Sequence, residues 1–242
     1  MIQTTTLEFF KNAEAMTHAA AAYIHSLSEK YIRSNGKFTL ALSGGNTPKA
    51  MFSYINAEMM EDFDWKNIFI FWVDERYVDE NSEDNNAHVA LELLLKNTSL
   101  PKEHIFRINT RVPAAQSAQE YSKKLQDFFG VTLPAFDLIL LGMGNDGHTA
   151  SIFPGSELID EQQEMIRAVY VEKMKMERIT MTFPLLNNAN NVLFMVAGKD
   201  KELPMKSIFK DKNPNNFPAG MVLPKHGTIR WFADEAAASH LH

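Results

Sequence analysis

Apolar residues follow two spacings that alternate along this chain. Four segments are almost continuously apolar, and each is of strand length and too short for a helix. They cover residues 38–42, 68–73, 138–141 and 192–197. Uninterrupted apolar runs are typical of strands that helices cover on both faces, as in a parallel sheet. The pattern therefore predicts four buried, parallel strands.

Apolar residues at helical spacing fill the segments around these strands. A first helix is predicted over residues 7–33, and Asn35-Gly36 forms a common C-terminal stop signal after it. Four more are predicted over residues 47–57, 86–97, 114–129 and 201–209. This alternation indicates an α/β class, Rossmann-like fold: a mainly parallel sheet with helices on both faces. Because no repeat, linker or break in composition divides the chain, we expect a single domain over residues 1–242.

Composition and charge exclude several functional classes. The 242 residues carry 24 Lys and Arg against 30 Asp and Glu, which gives a net charge of −6. An acidic chain repels the phosphate backbone, so we expect no nucleic-acid partner, although a local basic pocket for one small anion is compatible with this charge. The absence of cysteine excludes a thiol nucleophile, a disulfide framework and a thiolate metal site.

No segment has the features of a membrane span or a signal peptide. The longest apolar runs are six residues, whereas about 18 are needed to cross a bilayer. The N-terminus lacks the basic start and apolar core of a signal peptide. We therefore expect a cytoplasmic protein without a membrane partner. For the oligomeric state, a monomer and a small homo-oligomer are both open.

Polar and glycine-rich segments follow each predicted strand. They cover residues 43–48, 74–76, 142–148 and 198–201. The carboxyl ends of parallel strands lie at the same edge of a sheet, where ligands bind. We therefore expect these four segments, distant in sequence, to meet at one site.

The first of these segments has the features of an anion-binding loop. Gly44 and Gly45 allow the backbone to turn sharply, Thr47 is predicted to cap the next helix, and Pro48 to occupy its first position. Free N–H groups at a helix start favour a phosphate. The GxxxxGK[ST] spacing is absent, which disfavours a nucleoside triphosphate. An ordinary glycine-rich turn is the alternative.

The segment after the third strand supplies the candidate acid–base group. Its sequence GMGNDG matches GxGxxG, but Pro154-Gly155 prevent the long helix that a dinucleotide site requires, so no nicotinamide cofactor is expected. The glycines instead present Asp146 and His148 on a tight loop. An imidazole titrates near neutral pH and can exchange protons with water. The alternative is a loop histidine that bonds a backbone carbonyl.

Charged residues after the second strand, and farther along the chain, are further candidates. Asp74 can orient a histidine or a hydroxyl group, and Arg76 can bind a phosphate or carboxylate through two hydrogen bonds. A surface salt-bridge cluster is the alternative. Arg178, with Lys199 or Lys201, would add positive charge. No metal is expected, because His148 lacks a second histidine at ligand spacing, and without a GxSxG elbow the nucleophile is expected to be water.

Several segments together resemble the 6-phosphogluconolactonase family. They read SGGNTP, WVDERYV, GMGNDGHTASIFP, RITMTFPLLNNA and FPAGMVLPKHGTIRWFADEAA, and the similarity spans residues 40–237. The resemblance implies hydrolysis of 6-phospho-D-glucono-1,5-lactone to 6-phosphogluconate, in the oxidative pentose phosphate pathway, without a metal or organic cofactor. Asn145 stands where the family often has proline, and Asp84-Asn85-Asn86 replaces Asp-Ser-Asn, but neither change removes an ionisable group.

The resemblance also implies roles for individual residues. His148 would be the general base on water, Asp146 or Asp74 would orient it, and Arg76 would be a substrate-binding cation. Seven residues would surround the phosphate of this small-molecule sugar-phosphate substrate: Ser43, Gly44, Gly45, Asn46, Thr47, Arg178 and Lys201.

Two other functions fit parts of this pattern. A glucosamine-6-phosphate deaminase would share the sheet and the DGH element, but its loop resembles DGHIAFNEP, with a glutamate that assists ring opening. Here Ser151, Ile152 and Phe153 precede Pro154, and none carries a carboxylate. A non-catalytic sugar-phosphate sensor would need the phosphate loop but not a poised base such as His148.

Overall fold

The structure is a computed structural model, and it describes residues 4–241. The described strands are β1 (Thr4–Phe10), β2 (Phe38–Leu42), β3 (Ile68–Trp72), β4 (Asp74–Arg76), β5 (Ile105–Phe106), β6 (Leu138–Gly142), β7 (Ile166–Val171), β8 (Met176–Met181), β9 (Asn191–Val196) and β10 (Thr228–Asp234). Seven of these described strands form a parallel central sheet, in the order β1-β10-β9-β6-β2-β3-β5. The other three described strands form a smaller antiparallel sheet, in the order β4-β8-β7.

Within residues 4–241, six α-helices accompany these strands, and short 3-10 turns join several of the elements. The helices are α1 (Ala13–Asn35), α2 (Asn46–Glu58), α3 (Asn86–Ala90), α4 (Ala114–Phe129), α5 (Phe183–Leu186) and α6 (Glu202–Phe209). The four predicted strands are present, and the α/β class is confirmed. The helix predicted over residues 86–97 is shorter: α3 ends at Ala90 and continues as a π-helical turn over Leu91–Leu95.

The helix predicted over residues 7–33 is wrong at its start. Thr4–Phe10 is an edge strand that pairs in parallel with β10, with Leu7 opposite Trp231. The helix begins only after Asn12, whose Oδ1 accepts a hydrogen bond from the Ala15 N–H at 2.9 Å. Leu7 and Phe10 fit the spacing of the helix, but an N-cap and a strand partner distant in sequence give this segment an extended conformation.

The small sheet is the main feature that the apolar pattern did not predict. The chain passes from β3 through Val73 directly into β4. The Val73 N–H donates to the Leu42 carbonyl of the central sheet at 2.9 Å, while its carbonyl accepts from the Met181 N–H of β8 at 2.8 Å. Buried side chains of both sheets form one core cluster. The small sheet is therefore anchored at the carboxyl edge of the central sheet.

The direction of the strand order changes between β2 and β6. From β2 the order continues through β3 and β5, and from β6 it continues through β9 and β10 in the other direction. The Ser43 hydroxyl bridges the two strands by donating to the Leu140 carbonyl at 2.7 Å. In open parallel sheets the crevice at such a position is the usual ligand site.

Candidate active site

A polar cleft of about 320 Å³ opens at this position. Residues from all four segments that follow the predicted strands line it, so the structure brings these segments together. Asp146 does not line this cleft but contacts His148, and it lines a second cleft. The predicted site residues that do line the cleft are Ser43, Gly44, Gly45, Asn46, Thr47, Asp74, Arg76, His148, Arg178 and Lys201.

The start of α2 forms one end of the cleft, and it differs from the prediction. Gly45 rather than Thr47 is the N-cap, and the helix begins at Asn46, so that Pro48 is its third residue. Gly45 has a φ of 111°, which a residue with a side chain rarely adopts. No side chain among the described residues caps this start. The positive end of a 13-residue helix therefore borders the cleft.

Asn86 lines the cleft, although it was named above only as part of a departure from the family pattern and not as a candidate site residue. Its Nδ2 donates to the Asp74 carbonyl at 3.0 Å, and its side chain lies against Gly44, where any Cβ atom would overlap it. Gly44 is therefore required for close packing of the loop on α3. The sequence shows Gly44 in the SGG segment, but it does not show that Asn86 is the residue packed against it.

His148, which lines the cleft, forms a hydrogen-bonded pair with Asp146 behind it. Nδ1 of His148 lies 2.6 Å from Oδ1 of Asp146, and the ring stacks on Phe153 with 4.2 Å between centroids. Burial opposes ionisation of Asp146, but hydrogen bonds and charge from His148, together with Lys173, lower its pKa to about 2. An ionised carboxylate can only accept, so Nδ1 is the donor and Nε2 is left as the basic nitrogen.

The glycines of the GMGNDG segment shape this pair. A Cβ atom on Gly144 would overlap the His148 ring and approach the Asp146 carboxylate. Gly147 has a φ of 75°, and a Cβ atom there would overlap the Phe217 ring. These glycines make room for the pair and turn its loop, which is the role the sequence analysis expected in place of dinucleotide binding.

Asp74 occupies a different position from Asp146. Its Oδ2 accepts from the Ser151 hydroxyl at 2.6 Å and lies 3.9 Å from Nη1 of Arg178. Ser151 is fully buried and was not predicted as a site residue. Of the two acids considered as partners of His148, Asp146 is therefore the one in contact with the ring.

Two arginines lie side by side on the small sheet. Arg76 of β4 and Arg178 of β8 are direct neighbours in the strand register. Each has a buried Nε without a hydrogen-bond partner among the described residues. Burial lowers the pKa of Arg178, and the nearby Asp74 charge opposes this. Adjacent like charges are unfavourable, and a bound anion would relieve their repulsion.

Lys201 adds a further cation to the cleft and lies in the turn that follows β9. Its ammonium group lies 2.7 Å from Oδ2 of Asp200, and only about a fifth of its side chain is exposed (19%). The helix start, the two arginines and this lysine surround the same space, so the cleft is suited to a small, strongly negative group.

The described part of the chain shows neither a cluster of metal ligands nor a membrane-spanning helix. Within residues 4–241, no three His, Asp or Glu side chains are grouped as ligands of a metal ion would be. None of the helices in this range is long and apolar enough to cross a bilayer.

Comparison with known proteins shows the family of the whole chain. The family model described as "Glucosamine-6-phosphate isomerases/6-phosphogluconolactonase" matches residues 11–231. The chain belongs to this family. A 6-phosphogluconolactonase from Nostoc sp. is 35% identical over 242 residues, which cover 98% of each chain. Another from Synechocystis sp. is 35% identical over 235 residues and 95% of each chain. The resemblance noted from the motifs is confirmed.

Solved structures of this family have the same fold. The 6-phosphogluconolactonase from Trypanosoma cruzi superposes with a TM-score of 0.87 at 26% identity, over 100% of this chain and 98% of its own. A monomeric glucosamine-6-phosphate deaminase also superposes, with a TM-score of 0.81 over 97% of this chain and 99% of its own, but at 19% identity. The fold is therefore common to lactonases and deaminases, and only the residues of the site can separate the two activities.

Proposed function

We propose that this protein hydrolyses 6-phospho-D-glucono-1,5-lactone to 6-phospho-D-gluconate. The observation that carries the proposal is a single cleft lined both by cations and by His148, whose ring is hydrogen-bonded to Asp146. The names of the relatives at about 35% identity support the substrate. The proposed occupant is a small sugar phosphate.

The phosphate binds at the cationic side of the cleft in this proposal. The loop over residues 43–47 and the start of α2 supply backbone N–H groups, and Arg178 and Lys201 supply charge. Binding of the phosphate fixes the sugar, so the lactone carbonyl is held near His148. Positioning of this kind lowers the barrier, because the reacting groups no longer have to find one another.

His148 acts as the general base in the proposed reaction. Its Nε2 takes a proton from water as the water oxygen bonds to the lactone carbonyl carbon, and the carbonyl electron pair moves to oxygen. Ionised Asp146 holds the ring through Nδ1 and stabilises the imidazolium that forms. A donor from Arg76 or a loop N–H stabilises the oxyanion.

Collapse of the tetrahedral intermediate completes the reaction. The carbonyl re-forms, the bond from the carbonyl carbon to the ring oxygen breaks, and the imidazolium gives its proton to that oxygen. The products are the 5-hydroxyl group and a carboxylic acid, which ionises into solvent. His148 returns to its neutral state without a covalent intermediate on the protein.

The principal test is lactone hydrolysis above the spontaneous background, with freshly generated substrate. We expect His148→Ala to lower kcat by about 10²- to 10⁴-fold, the usual contribution of a positioned base, while binding of 6-phosphogluconate largely persists. His226→Ala, which removes an exposed histidine outside the cleft, is the matched control and should keep wild-type turnover. Unchanged hydrolysis in His148→Ala would rule out its role as base.

The same preparation separates the two enzymatic alternatives. Ammonia release from glucosamine 6-phosphate reports deaminase activity, and acid release from the lactone reports lactonase activity. The deaminase needs a carboxylate partner for ring opening, and the positions before Pro154 carry none. We expect acid release only. Ammonia release without acid release would assign the cleft to the deaminase reaction instead.

A further inference from the structure

A third charged residue lies behind the His148–Asp146 pair. Nζ of Lys173 is 3.2 Å from Oδ2 of Asp146, while Oδ1 of the same carboxylate faces His148. Lys173 belongs to the turn Glu172–Met174 between β7 and β8, 27 residues away from Asp146 in sequence. The two carboxylate oxygens thus have different partners, one from the histidine loop and one from the small sheet.

We propose that Lys173 is a positioning residue of the active site, which holds Asp146 through its second oxygen and offsets part of the negative charge that Asp146 presents to the His148 imidazole. This inference rests on the proposed lactonase reaction, in which His148 is the base. Lys173 itself does not line the main cleft. It acts on the reaction through Asp146 alone.

The electrostatic argument starts from the charge of Asp146. An ionised carboxylate beside an imidazole favours the imidazolium, which can no longer accept a proton from water. The Lys173 ammonium offsets part of that negative charge. When the lysine is removed, the full charge of Asp146 acts on the ring, and a smaller fraction of His148 is neutral at a given pH.

The contact also has a geometric effect. With Oδ2 bound to Lys173, the carboxylate is held in an orientation that keeps Oδ1 on Nδ1. The His148 ring also stacks on Phe153, and this contact restrains the plane of the imidazole. The imidazole is therefore restrained from two directions, which favours a constant placement of Nε2.

Other charged groups surround the pair, and the test leaves all of them in place. The small sheet contributes Asp74, Arg76 and Arg178 to the main cleft, and the turn after β9 contributes Asp200 and Lys201. Glu157 and Glu172 line the second cleft, of about 590 Å³, together with Asp146 and Lys173. Because Lys173 is 65% exposed, solvent screens its effect, and we expect a moderate shift.

The experiment compares Lys173→Met with Lys175→Met. Lys175 lies at the end of the same turn and is exposed, so its replacement makes the same change in net charge away from Asp146. In Lys173→Met we expect the acid limb of the pH profile of kcat/KM to move to higher pH by about 0.2–0.7 pH unit. Lys173→Arg should restore the wild-type midpoint, and about 1 M salt should reduce the shift.

Two results would overturn the proposal. One is an acid limb in Lys173→Met that coincides with those of wild type and Lys175→Met. The other is a lower plateau with an unmoved midpoint, which would indicate a merely structural role.

A second measurement does not depend on turnover. The His148 imidazole can be titrated by carbon–proton NMR, its signal assigned by its loss in His148→Ala. We expect its midpoint to lie at higher pH in Lys173→Met than in wild type. Equal midpoints would show that the Lys173–Asp146 contact has no effect on the His148 imidazole. If the wild-type protein fails to hydrolyse the lactone, the proposed function fails, and the NMR comparison still decides the role of Lys173.

Discussion

At the scale of single residues, Gly144 shows how tightly the His148–Asp146 pair is packed. A Cβ atom on Gly144 would overlap both the His148 ring and the Asp146 carboxylate, so a side chain fits there only if they move. Its N–H also donates to the His148 carbonyl at 2.8 Å, which closes the loop. Gly144 thus sets the position of the proposed base without carrying any reactive group.

We therefore expect Gly144→Ala to lower kcat by about 10²-fold, the order of loss that a displacement of about 1 Å can cause. The overlapping atoms belong to side chains that can turn away, so the protein should still fold, with little change in its far-ultraviolet circular dichroism. Gly142→Ala adds the same methyl group where nothing lies within 4 Å, and it should keep much more of the activity. Wild-type kcat in Gly144→Ala would contradict this role.

At the scale of elements, Glu75 joins β4 to the start of α3. Its Oε1 accepts the N–H groups of Arg76 and Asn86 at 2.8 and 2.7 Å, and its Oε2 accepts that of Ala87 at 2.9 Å. The residue is completely buried. Burial raises its pKa to about 7, although the three backbone hydrogen bonds act in the opposite direction.

This raised pKa predicts a pH-dependent stability. Between about pH 4.5 and 7 the native state keeps the Glu75 proton while the unfolded chain has lost it. The free energy of unfolding should therefore fall as pH rises through this window, by at most about 1.4 kcal/mol per pH unit from this group. Urea unfolding of wild type and Glu75→Gln at several pH values measures it.

The variant should lose this part of the slope, whatever its overall stability. Glu58→Gln, which changes an exposed acid at the end of α2, is the control and should keep the slope. Parallel slopes in wild type and Glu75→Gln would show that Glu75 does not titrate in this range.

At the scale of the whole molecule, the cleft lies where the two sheets meet. The central sheet provides the glycine-rich loop after β2 and the loop with His148 after β6, and the small sheet provides Arg76 and Arg178. A ligand that bridges these parts binds only the folded arrangement. Its binding energy is therefore added to the stability of the fold.

We predict that 6-phosphogluconate raises the melting temperature. At 100 times Kd the added stability is about 2.7 kcal/mol, which corresponds to about 5–10 °C for a chain of this size. Gluconate, which lacks the phosphate, should have little effect. Differential scanning fluorimetry measures both shifts, and equal shifts with the two ligands would show that the phosphate is not the group recognised by the cleft.

The predictable parts of this protein depend on neighbours in sequence. The buried strands β2, β3, β6 and β9 are continuous apolar runs, and their boundaries were predicted within about a residue. The spacing of Asp146 and His148 on one glycine-rich loop made Asp146 one of two candidate partners, and only the structure decided between Asp146 and Asp74. Where the apolar pattern fits both a strand and a helix, the sequence did not decide between them. The clearest case is β1, part of which was predicted as the start of a helix.

Apolar periodicity, glycine placement and the absence of cysteine determined the class of fold, the edge of the sheet that carries the site, and the chemistry that the site lacks. These are local properties, because the geometry of a strand or helix sets the spacing of its buried side chains. The tertiary structure alone decided that Arg76 lies beside Arg178, that Asn86 packs on Gly44, and that Lys173 reaches Asp146. Such partners are distant in sequence, and they meet only because the packing of two sheets and the register of their strands bring them together.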